Sequence, residues 1–188
     1  MSFLDIFRRR TQDVFYTRVL VCSLGDVPGD ELDRDFSAYQ KYLGSVTLHR
    51  FADANGLLNA LRDGYDIVHV LTSVTVDGRI GDSEIGGTEL IQKAALDKTK
   101  LLWIASSNDP QGYIKGFKPD GNKLNVVMTV DRRGDCLSNF IGKLLHEMRS
   151  GLSMPVAWNK IAPQVPGQEH PDAPATIFYS GLGQVRFV

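Results

Sequence analysis

Two stretches of the chain run from an unbroken apolar core into small hydroxyl residues: DIVHVLTSVT (66–75) and LLWIASSN (101–108). Each pattern predicts a buried strand whose C-terminal end surfaces in polar groups, and that end is where open α/β sheets place their sites. If the two strands are parallel neighbours, both polar ends meet at one edge of the sheet. The remaining pattern supplies the other elements. RVLVCSL (18–24), followed by Gly25, predicts a first buried strand. Leu32, Phe36, Tyr39 and Leu43 recur at helical spacing before Gly44, residues 46–51 alternate as a short strand, and Leu57, Leu58 and Leu61 place a second helix closed by Gly64.

The strand 66–75 comes next, then a glycine-rich, acidic stretch (76–87) that suits an exposed loop or small hairpin over the strand ends. Thr88 is expected to cap a helix carrying Leu90, Ile91, Ala94, Ala95 and Leu96, and residues 101–107 and 125–130 give the fourth and fifth strands. Leu137, Phe140, Ile141, Leu144, Leu145 and Met148 then line one face of the strongest helix, which stops at Gly151. Five prolines and little periodicity from 154 to 174 predict an extended loop, returning a final strand or hairpin within ATIFYSGLGQVRFV. Alternating strands and helices with short joints argue an α/β fold, a mostly parallel central sheet with helices on both faces.

Composition narrows the function classes. At 188 residues the chain fits one domain, expected over 18–188 after an N-terminal segment, 1–17. Its 21 Lys and Arg against 22 Asp and Glu leave a formal charge of -1, so no long-range field draws it to nucleic acid or anionic lipid. Two cysteines, Cys22 in an apolar run and Cys136 beside a helix start, suit free thiols of a reducing compartment. Phe3, Leu4, Ile6 and Phe7 precede Arg8, Arg9 and Arg10, the reverse of a secretory signal. No stretch nears the ~20 apolar residues of a membrane span, and a cytoplasmic location is expected. The first residues are read as a turn docked on the domain, with a membrane-surface or partner helix as the alternative.

Candidate chemistry is sparse. GRIGDSEIGG (78–87) invites a phosphate-loop reading, but has neither a Lys-Ser or Lys-Thr pair nor dinucleotide glycine spacing. His49, His69, His146 and His170 fall on separate elements without metal-ligand spacing, so neither a metal nor a cofactor is expected. His69, inside an apolar strand, reads as a satisfied core histidine, and His146 as part of a solvated helix face. Cys136 has a helix N-terminus nearby, which favours the thiolate, but no histidine close in sequence, and reads as a partly buried cap-region cysteine before a nucleophile. Arg132 and Arg133, between Asp131 and Asp135, suit an anion-binding turn or plain solvation equally well.

The order of these pieces resembles the caspase-like peptidases of the CHAT type, over most of 18–188. Their pattern of Asp, hydrophobic, Val, His, hydrophobic, two further residues, His and Gly is met here by Asp66, Ile67, Val68, His69, Val70, Leu71, Thr72, Ser73 and Val74. Their next buried strand, ending in small residues and a nucleophilic cysteine, corresponds to LLWIASS, and VVMTVDRRGDCLSNFIGKLLHEMRSGLSMPVAW is similar to the later strand, turn and helix. The resemblance implies a caspase-like (caspase/hemoglobinase) sandwich. It also implies that the catalytic histidine position falls on Ser73 and the cysteine position on Ser107, vestigial sites with neither base nor thiol.

A serine without a base is a poor nucleophile, and His69 lies on the same strand face as Ser73 but roughly 13 Å earlier. The expected protein is therefore a catalytically inactive domain that binds or scaffolds another protein, with His69, Thr72, Ser73, Ser106, Ser107, Asn108, Arg132 and Arg133 as possible cleft residues. The resemblance implies an active peptidase, a regulator or a sensor as partner, in a bacterial defence or stress system. Two alternatives stay open: a hydrolase using Ser107 or Cys136 with His69 or His49 as base, and a small-ligand-sensing domain whose strand-end hydroxyls and 78–87 glycines hold a metabolite. Under the plainest alternative Ser73 and Ser107 are merely small strand-end residues of an ordinary α/β domain.

Overall fold

A computed structural model describes residues 11–81, 83–106, 117, 124–129, 135–162 and 176–188. Its centre is a six-stranded sheet. In chain order the strands and helices are β1 (Gln12–Val14), β2 (Arg18–Leu24), α1 (Gly29–Gln40), β3 (Ser45–Phe51), α2 (Ala54–Leu61), β4 (Ile67–Thr72), α3 (Gly87–Leu96), β5 (Leu101–Ala105) and β6 (Asn125–Thr129). There follow α4 (Cys136–Arg149), α5 (Met154–Ile161), β7 (Thr176–Ser180) and β8 (Val185–Phe187). The sheet order is β3-β2-β4-β5-β6-β7; the first five strands are parallel and β7 is antiparallel to β6.

Burial follows position in that order. Every residue of β4, β5 and β6 is buried, and all of β2 but Arg18, whereas the edge strands β3 and β7 alternate with solvent. Central parallel strands are covered on both faces and must be apolar throughout. On one face α1, α4 and α5 cover Val19, Val21, Ile67, Leu71, Trp103 and Val127; on the other α2 and α3 cover Leu20, Cys22, Val68, Val70, Ile104 and Met128. Trp103 of β5, Phe140 of α4 and Trp158 of α5 meet successively edge-on, and Phe178 of β7 stacks on Trp158 at 4.9 Å between ring centroids.

Two segments depart from the expected elements. Residues 154–161, expected as extended loop, form α5. Proline is tolerated in a first helical turn because its missing N–H has no partner there, so Pro155 sits as the second residue of the helix, and Met154, Ala157 and Trp158 form its buried stripe. The tail supplies the expected final strand, β7, which joins the main sheet, and not the hairpin: β8 pairs in parallel with β1, a strand inside the segment expected to precede the domain.

Candidate functional site

The parallel ladder sets the C-terminal ends of β4 and β5 side by side, with Leu71 opposite Ala105 and Ala105 opposite Thr129. The two polar strand ends thus belong to neighbouring strands, as expected. Over them lies a small hairpin. Val74 bridges Ile80 and Arg79 bridges Gly86, with Gly81 N–H donating to the Ser73 carbonyl at 2.8 Å. Val74 and Ile80 are buried and fasten the hairpin to the core.

The tip of the hairpin is a polar knot. The Thr75 hydroxyl donates to Asp77 at 2.6 Å, and Arg79 pairs with Asp77 at 2.8 Å and with Glu84 at 3.2 Å. The Thr75 hydrogen bond, and behind it Arg79, hold the Asp77 carboxyl below the usual aspartate range. Gly81 takes φ +57, and a β-carbon there would sit 3.3 Å from Leu24 and 3.5 Å from the Thr72 hydroxyl, so the hairpin passes close over β2 and β4. The 78–87 glycines are thus used by the turn and by close packing: Gly87 sits against the Phe117 ring, 2.0 Å from where its β-carbon would lie.

Of the expected cleft residues, the structure buries three. Thr72 is 3 % exposed, with its hydroxyl on the Ser73 carbonyl, and Ser106 is wholly buried with its N–H on the Thr129 carbonyl at 2.8 Å. His69 is 0 % exposed, in the interior face of β4 that α1 covers, because a residue three positions before the strand end at Thr72 lies well below the sheet edge. Ser73 alone of the described candidates is exposed. Ser107, Asn108, Arg132 and Arg133 lie outside the described residues.

His69 has partners that strand spacing does not reveal. Asp35 and Tyr39, one turn apart on the buried stripe of α1, reach it from above the sheet: Asp35 Oδ2 lies 3.1 Å from Nε2 and the Tyr39 hydroxyl 3.2 Å from Nδ1. With Nε2–H donating to the carboxylate and the Tyr39 O–H donating to Nδ1, the imidazole is satisfied at both nitrogens. Burial and the Asp35 charge push the Tyr39 phenol well above its ordinary value, which keeps it a donor. Trp103, its indole N–H on Thr129 Oγ1 at 2.9 Å, closes the space 5.6 Å from His69. The trio bolts α1 to β4. A carboxylate on an otherwise apolar helical stripe, at Leu32, Asp35, Phe36 and Tyr39, is the sequence signal for it.

The other candidate bases and thiols are scattered. His49 is exposed on the edge strand β3, stacked on Phe51 at 4.2 Å, and Cys136 opens α4, half-buried. Cys22 is fully buried, and desolvation raises its thiol far above the reactive range. Among the described residues no His, Cys, Asp and Glu cluster suits a metal ion, and no helix is long and apolar enough to cross a membrane.

This sheet order, with a last antiparallel strand and helices on both faces, defines a caspase-like α/β fold. A crystal structure of drICE, a caspase, matches 96 % of this chain and 97 % of its own, with a TM-score of 0.53 at 10 % identity. The sequence matches no protein-family model and no curated protein.

Proposed function

We propose that this caspase-like domain has lost its catalytic pair and works as a protein-binding or scaffold module, using the surface around the exposed strand end at Ser73. Ser73 carries the proposal. It stands exposed at the end of β4, where the CHAT-type pattern has its catalytic histidine, and its backbone anchors the hairpin instead. His69 does not substitute, since both of its nitrogens are engaged in a space without solvent access. The hydrolase alternative is thereby left with His49, on the outer strand β3. The ligand-sensing alternative loses its cradle, because the hairpin glycines already serve the turn and Phe117. The CHAT-type assignment, a cytoplasmic setting without nucleic acid, and a companion peptidase, regulator or sensor in a bacterial defence or stress system belong to the same proposal.

The test is affinity purification of the tagged protein from its own host with mass spectrometry, beside a Ser73→Arg, Ser107→Arg double variant. A stoichiometric partner lost from a folded variant is the expected result; one retained by both moves the interface off this surface. In parallel, chloromethyl-ketone and fluorophosphonate probes are expected to leave the protein unlabelled. Saturable labelling that disappears in Ser107→Ala or Cys136→Ala would overturn the inactive reading.

A further inference from the structure

A groove of about 950 Å³ runs between α1 and α4, on the helical surface, and a hollow of about 410 Å³ opens against the turn that joins β1 to β2. Tyr42, just past the end of α1, lines both. Three basic side chains gather on this one residue. Lys41 Nζ lies over its ring, 5.4 Å from the centroid; His146 meets the ring edge-on at 6.4 Å; the Arg149 guanidinium donates to its carbonyl at 2.5 Å.

The carboxylates that line the groove are engaged with other cations. Asp33 pairs with Arg50 at 3.2 Å, Asp135 with Arg34 at 3.2 Å, and Glu147 with Lys160 at 2.6 Å. Among the described residues, the basic groups on Tyr42 meet a ring or a carbonyl and form no ion pair with the groove's carboxylates. A cluster of this kind attracts an anion and orients it.

The adjoining turn supplies the apolar half of a recognition surface. Phe15 is 67 % and Tyr16 93 % exposed, two neighbouring aromatic rings in solvent. Tyr16 takes φ 55, a left-handed backbone that bulky residues rarely adopt. The turn is nevertheless fixed, by the Thr17 hydroxyl on the Val14 carbonyl at 2.9 Å and by the pairing of β1 with β8. Aromatic rings on a fixed backbone make contacts at low entropic cost, the character of interface anchors.

We propose that this collar around Tyr42 is a docking site for an acidic segment of a partner protein. The segment's carboxylates would meet Lys41, His146 and Arg149, and an apolar side chain would enter the hollow beside Phe15 and Tyr16. Charge selects this occupant over the chain's own first ten residues, whose three arginines against one aspartate would be repelled. The collar lies between α1, α4 and the N-terminal starts of β2 and β3, whereas Ser73 follows the C-terminal end of β4, so it stands independently of the site proposed above.

A display library of random 12-residue peptides, selected on the intact protein at low salt, tests it. Enriched peptides are expected to pair two or more Asp or Glu with an aromatic or aliphatic residue, and to weaken on addition of salt. Lys41→Glu, Arg149→Glu should weaken them by tenfold or more, with circular dichroism and melting unchanged. Tyr16→Asn, which tolerates a left-handed backbone, should also weaken binding in a folded protein, while Ser73→Arg leaves it intact. Enriched peptides without acidic bias, binding indifferent to the collar variants, or no enrichment at all would overturn the proposal.

Discussion

Asp35, His69 and Tyr39 place a carboxylate, an imidazole and a phenol in a space closed to water, at 3.1 and 3.2 Å from one another. Such a group costs little while complete and much when broken, because the surviving charge keeps its desolvation penalty after losing its partner. His69→Ala, which strands the buried Asp35 carboxylate, should therefore lower unfolding free energy by about 3–5 kcal/mol, and Asp35→Ala, which leaves a neutral imidazole N–H without its acceptor, by about 1–3 kcal/mol. Replacing all three polar groups, as Asp35→Leu, Tyr39→Phe, His69→Phe, should cost far less than the single changes sum to, about 1–2 kcal/mol for imperfect repacking. Urea denaturation decides: single variants that lose under 1 kcal/mol, or a triple variant that adds up fully, would mean the trio does not act as a unit. His69 as a satisfied core histidine was legible in the sequence, since an imidazole amid β-branched residues needs partners. Which partners was not legible, because α1 and β4 meet across 34 residues of chain.

At the level of elements, the central strands were legible because burial on both faces leaves no polar alternation to misread, and α4 because six apolar residues share one stripe. The misread element, α5, is eight residues long and has a proline as its second residue, which signals a break unless it falls in a first turn. β1 and β8 are three residues each, and their pairing partner lies at the other end of the chain, so no local pattern announces them. The α3 start shows how packing overrides composition. Gly86 and Gly87 resemble a phosphate cradle in sequence, yet the Phe117 ring fills the place of a Gly87 β-carbon. Gly87→Ala should displace that buried ring and destabilise the protein by about 1–3 kcal/mol, the usual cost of overpacking, while Gly44→Ala, with open space around it, serves as control. Equal melting temperatures for the two variants would show that Phe117 yields freely.

At the scale of the whole molecule, two short strands far apart in sequence are clasped together. β1 pairs with β8 in a two-stranded parallel sheet beside the main one, Gln12 opposite Val185 and Val14 opposite Phe187, with Val14, Val185 and Phe187 all in the core under α4 and α5. Across this clasp Arg186 meets Asp13 with two hydrogen bonds, 2.9 and 2.6 Å, between residues 173 positions apart. The Arg186 hydrogen bond holds the Asp13 carboxyl below its ordinary value. A depressed folded-state value means that the pair's contribution is present above the unfolded aspartate range, near pH 4, and is lost as pH falls through the folded value. Wild type should therefore be more stable than Asp13→Asn at pH 7, and the gap should close as pH falls below the unfolded aspartate range, near pH 4. Many carboxylates titrate over the same interval, so the difference between the two proteins, and not the wild-type curve alone, reports on the clasp. Amide exchange at β1 and β8 in both proteins locates the effect. A gap that persists unchanged at pH 2 would assign it to the shape of the asparagine and not to the ion pair, leaving the closure of the chain to the apolar residues beneath it.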